Sequence, residues 1–205
     1  MGFFRRDTNR RSEPPHGAVG VNGAPGLPVE EQDGVTRELA QVVAESVNEV
    51  PIDRDTLELL QLGLPHLLER EISDEAVVVG QTAARLGYLA RAAESTMLEE
   101  DRAPDPELIV TLQAGLEEAH ARGTPERDAV ADLAAALATG ESLDPTPEEG
   151  GPTWTLPGLG GQARGRLRDD LVGRLPCPPG ILADDLRRTW KYGYFLCALD
   201  QLSAD

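Results

Sequence analysis

Three arginines behind a glycine-rich stretch are the first residues whose types and spacing could do chemistry. Gly158, Gly160, Gly161 and Gly165 lie around the start of a helical segment carrying Arg164, Arg166 and Arg168. Glycines let a backbone approach a ligand closely, and the N–H groups of a helix start attract phosphate. A dinucleotide-binding unit would need a strand before the glycines and a βαβ unit around them. Only Thr153-Trp154-Thr155-Leu156 could be that strand, and the lysine of a P-loop is missing. What remains is a candidate anion site at residues 157–166, with an ordinary loop as the plainer explanation.

Glu117 and His120 stand three apart, as do His66 and Glu69. Glu-x-x-His spacing puts two metal ligands on one helix face in carboxylate-bridged bundles. The order is reversed in the second pair, and Pro65 confines it to a short segment. His120 falls in the last turn of its helix, where a cation suits the dipole without any metal. Cys177 and Cys197 are 20 apart, with no CxxC and no flanking histidine, and so read as free thiols. No Ser-His-Asp order is discernible. These residues lead us to expect no catalytic group, no metal and no cofactor.

The aromatic cluster is the strongest local feature. Four of the eight aromatics, Trp190, Tyr192, Tyr194 and Phe195, fall within WKYGYFLCAL, residues 190–199. The surrounding pattern predicts a helix over 181–202 that is apolar around most of its circumference. Such a helix is buried or makes an interface. Gly193 costs about 1 kcal/mol of helix propensity in its interior, which points to close approach by another backbone. The helix is therefore either the keystone of the fold or a docking hot spot. In the second case Trp190, Tyr194, Tyr192 and Phe195 are the candidate contacts. Tyr194 lies one turn beyond Trp190 and shares its face.

The elements that must position these residues are helical. Leu numbers 28 and Ala 24, against 18 for Val and Ile together, a balance that favours helix over strand. Val35, Leu39, Val42, Val43, Val47 and Val50 form one apolar stripe, ended by Pro51. Asp53 caps a second helix through Leu57 and Leu60. Ser73 caps a long one, with Asp74 and Glu75 in its first turn, running to about Leu98. Its stripe of Val79, Ala83, Leu86 and Ala90 is flanked by Gly80, Ala84 and Gly87, small residues that admit a close neighbour. Asp105-Pro106-Glu107 and Thr124-Pro125-Glu126 are two further starts, each with a cap, a proline and an acid. Residues 140–161 are a Gly/Pro-rich break. Beyond it come an Arg-rich helix from Ala163 to Leu175, a turn at Pro176–Gly180 and the aromatic helix.

Charge is distributed unevenly. The total is -17, from 19 basic and 36 acidic side chains. Residues 1–29 carry four Arg against Asp7 and Glu13, for +2. Residues 30–150 carry eight Arg against 28 carboxylates, for -20. Residues 151–205 carry six Arg and Lys191 against six Asp, for +1. A middle segment of this sign repels nucleic acid and anionic lipid heads. No apolar run approaches the roughly 18 residues of a membrane span, and MGFFRRDTNRR lacks the apolar core of a secretory leader. A cytoplasmic location is expected. One lysine beside 18 arginines suggests a GC-rich, bacterial coding genome.

The expected architecture is all-α, a compact bundle or short helical array of about six to eight helices. Residues 1–29 are a disordered basic tip and linker, 30–140 an acidic helical domain, 141–161 a Gly/Pro-rich loop and 162–205 a C-terminal helical segment packing on the bundle. The functional expectation is a non-enzymatic adaptor or assembly factor. It would bind a protein partner through its acidic surface and aromatic helix, a surface whose charge suits a basic partner, with homo-oligomerisation left open. The competing expectation is a helical domain that binds a small or phosphate-bearing ligand at 157–166, where enzymatic chemistry would then be conceivable.

Overall fold

A computed structural model of the chain describes residues 29–62, 64, 73–98, 106–139 and 158–203. Among these residues there are seven helices and no strand. They are α1 (Val29–Ser46), α2 (Arg54–Leu62), α3 (Asp74–Met97), α4 (Pro106–Arg122), α5 (Glu126–Thr139), α6 (Gly161–Gly173) and α7 (Ala183–Ser203). The molecule is thus an all-helical array, as the periodicity predicts. Residues 1–28 of the expected basic tip and linker, residues 65–72, and residues 141–157 of the loop expected over 141–161 lie outside the described residues.

Local chemistry sets the boundaries. Ser73 precedes α3 with extended backbone, and its Oγ accepts the Ala76 N–H at 3.2 Å. Asp53 does the same for α2, accepting the Thr56 N–H at 2.8 Å and the Thr56 hydroxyl at 2.6 Å. Those bonds, the hydroxyl first, hold the Asp53 carboxyl below its usual range. α4 closes at Gly123, whose φ of 74° is the left-handed conformation that favours glycine. The Thr124 N–H reaches back to the Ala119 carbonyl and the Gly123 N–H to that of His120, satisfying carbonyls that the helix end would orphan. At the start of α7, Asp185 accepts the Leu182 N–H at 2.8 Å.

α7 is the axis of the fold. It packs most extensively on α3 and next on α5, with α6 and α2 completing its surround. α1 covers α6 and α3, and α4 sits outermost, packed on α5. Helices α3 and α7 touch backbone to backbone. A Cβ placed on Gly87 would overlap the Trp190 carbonyl, and one on Gly193 would overlap that of Ala84. Both glycines are therefore required by a single crossing, which the small residues of the two helices announce in the sequence. Further along, Ser95 Oγ and Gln201 Oε1 lie 3.2 Å apart, so the two helices advance in the same general direction.

Candidate functional site

Burial sorts the candidate residues. Trp190, Tyr192 and Tyr194 are fully buried, and Phe195 is 2 % exposed. Residues 190–199 of α7 are buried on every side. The aromatic helix thus presents none of these four side chains at the surface of the folded chain. The physical reason is its place among four other helices, each needing apolar surface to pack on.

The aromatics enclose a polar node. Tyr194 stacks on Trp190 with ring centroids 5.1 Å apart, and the Arg164 guanidinium lies 5.8 Å from the Tyr194 ring centre. The Tyr194 hydroxyl donates to Glu94 on α3. Glu94 is fully buried and also accepts the Leu159 N–H at 2.7 Å and Arg164 Nη2 at 3.3 Å. Arg91 Nη1 stands 3.8 Å away. One carboxylate thereby ties α3 to α6, α7 and the turn before α6. Burial raises the Tyr194 hydroxyl's pKa well above its ordinary value; Arg164 opposes the shift and Glu94 adds to it. Tyr192, two residues before Tyr194, points elsewhere and donates to the Leu59 carbonyl of α2. Trp190 Nε1 has no hydrogen-bond partner among the described residues.

Sequence reasoning missed Glu94, although a signal exists. It continues the buried series Ala83, Gly87 and Ala90 at helical spacing, so an acid occupies a core register. Arg164 is legible in the same way, on the buried face of Leu167 and Leu171.

The three arginines proposed for an anion do not converge. Arg164 points inward to Glu94. Arg166 is exposed and meets Asp33 of α1 at 2.6 Å, while Arg168 meets Asp169 at 3.0 Å. Each positive charge already has a carboxylate beside it, and the three lie in different surroundings. A shared anion site would first have to break those pairs. Glu117 and His120 lie exposed on α4, while His66 and Glu69 fall outside the described residues. No group of three or more metal-ligating side chains occurs among the described residues. Cys177 is exposed and Cys197 buried.

Unpaired acid remains at the surface. Glu38, Glu45, Glu49, Glu117, Glu126 and Asp132 are exposed on α1, α4, α5 and the turn after α1. None pairs with a basic side chain among the described residues. By contrast, Glu58, Asp170 and Asp184 each have an arginine within 3.3 Å. No described helix is long and apolar enough to cross a membrane. No protein-family model, characterised protein or solved structure matches the chain.

Proposed function

We propose that the chain is a non-enzymatic adaptor or assembly factor of the cytoplasm that binds a basic protein through the outward faces of its acidic helices. The observation that carries this reading is the set of exposed carboxylates on α1, α4 and α5 with no arginine partner among the described residues. Charge of one sign on exposed helix faces speeds encounter with a partner of opposite sign and disfavours nucleic acid. The aromatic helix has a supporting role, holding these helices in register. It is not the contact surface, because its side chains are occupied within the chain.

Carbodiimide coupling suits the test. The chain has one lysine, Lys191, which is buried. Its couplings to a partner would therefore join its own carboxylates to the partner's lysines. Coupling in native cells, followed by mass spectrometry, is expected to recover one protein through carboxylates of α1, α4 or α5. Coupling should fall at least tenfold in 0.5 M NaCl. Recovery of no protein partner, together with a small molecule retained in native mass spectrometry, would overturn the reading.

A further inference from the structure

Helix α1 has an outward face that no other described element covers. Its inward side holds Leu39, Ala40 and Val43, all buried. On the opposite side Glu38, Val42, Glu45 and Glu49 recur at helical spacing, the last in the turn beyond the helix. Val42 retains 39 % of its exposure, and Val50, just after Glu49, 41 %. The three glutamates have no basic partner among the described residues, whereas Asp33 at the start of the same helix is paired with Arg166. The face is thus anionic with two apolar points.

The chain that runs into α1 has the matching composition. Residues 1–28 hold Phe3 and Phe4, then Arg5, Arg6, Arg10 and Arg11, against Asp7 and Glu13. We propose that residues 3–11 dock in cis on this outward face, with arginines against Glu38, Glu45 and Glu49 and the phenylalanines against Val42 and Val50. The reach fits. From Val29 to Val42 is 13 residues of helix, roughly 20 Å at about 1.5 Å per residue. The 17 residues from 12 to 28 would, as an unconstrained chain, span an r.m.s. distance of roughly 21–25 Å. Effective concentration is highest when linker and span agree, reaching the millimolar range for short linkers. A contact too weak to hold two molecules together is then occupied within one. Docked residues would cover part of the face assigned above to a basic partner and compete with it. That consequence rests on the proposed function; the contact itself does not.

The contact can be read on the purified full chain with no partner present. A photo-reactive phenylalanine analogue at position 4, irradiated in dilute solution, is expected to crosslink within the molecule to residues 38–50. The yield should fall at least tenfold in 0.5 M NaCl, and equally in the triple variant E38K/E45K/E49K. Adding R5E, R6E, R10E and R11E to that variant should restore it, because the charges are then exchanged. The substituted positions are exposed or precede α1, and circular dichroism checks the fold. Crosslinks spread over other helices, crosslinks only between molecules, or a yield indifferent to both salt and charge reversal would overturn the inference. Failure to find a partner by carbodiimide coupling would leave this result standing, so the two readings fail separately.

Discussion

Glu94 is a single carboxylate held out of water among three helices and the turn before α6, and its worth lies in what it would leave behind. Its neighbours Arg91 and Arg164 are 5 % and 1 % exposed. Removing one member of a buried ionic group strands the others, at about 3–5 kcal/mol. Glu94→Gln keeps the shape and removes the charge, so the unfolding free energy should fall by that amount, read as a lower urea midpoint at unchanged slope. A loss under about 1 kcal/mol would mean that other acceptors suffice. Trp190→Ala should cost a similar 3–5 kcal/mol through the cavity it opens, visible as lost helicity. Tyr194, stacked on Trp190, should be sensitive through the same contact. Thiol chemistry gives a third measure. Burial pushes the Cys197 thiol up to about 12; the nearby Arg91 charge opposes the shift, and Asp200 and Glu94 add to it. Thiolate is the reactive form. At pH 8 a disulfide reagent should therefore titrate one thiol promptly, the exposed Cys177, and the second only in denaturant. Prompt reaction of both would show that α7 opens in the native state.

Helices carry most of what the sequence made legible. Caps at Asp53, Ser73 and Gly123, and the Pro-Glu starts of α4 and α5, are local chemistry that needs no knowledge of the fold. The crossing of α3 on α7 is legible too, because a helix tolerates Gly87 and Gly193 at a cost only where something must come close. The glutamate node was not read, because an acid in a chain with 36 acidic residues draws no notice until its register is checked against the apolar stripe. The separate surroundings of the arginines at 164–168 are not legible for the converse reason. Sequence shows three cations close together, and only packing shows that Arg164 faces the core while Arg166 faces α1. The glycines provide a sign test of this account. Gly87→Ala and Gly193→Ala force backbones apart and should destabilise by about 1–3 kcal/mol or more. Gly165 in α6 has nothing within 4 Å of an added Cβ, and Gly115 in α4 meets only the Leu133 side chain at 3.7 Å. Gly165→Ala and Gly115→Ala should stabilise by about 0.5–1 kcal/mol through helix propensity alone. Four melting curves decide it, and equal signs across the four would refute the crossing.

At the scale of the whole molecule, a net charge of -17 sets a tension between solubility and self-repulsion. Surface ion pairs such as Arg174–Asp170 at 2.8 Å and Arg187–Asp184 at 2.7 Å favour the fold slightly and weaken with salt. Exposed carboxylates on α4 and α5 with no basic partner among the described residues disfavour it, and their repulsion also weakens with salt. The two effects have opposite signs, so the salt dependence of stability shows which dominates. Exposed pairs contribute about 0–1 kcal/mol each, and many contribute nothing measurable. Repulsion acts over the Debye length, which shrinks from about 30 Å at 0.01 M salt to about 10 Å at 0.1 M. At the lower strength each of these carboxylates feels its neighbours along the helix; at the higher, mainly the adjacent ones. Raising NaCl from 10 to 200 mM should accordingly stabilise the chain by about 1 kcal/mol, roughly 2–4 °C in melting temperature for this length. The triple variant E117K/E126K/D132K removes three negative charges from α4 and α5 and adds three positive ones, and its melting temperature should rise less steeply with salt than the parent's. A parent that melts lower as salt is added would show that the ion pairs outweigh the repulsion. The acidic faces would then be internally balanced, and the case for a basic partner would lose its physical basis.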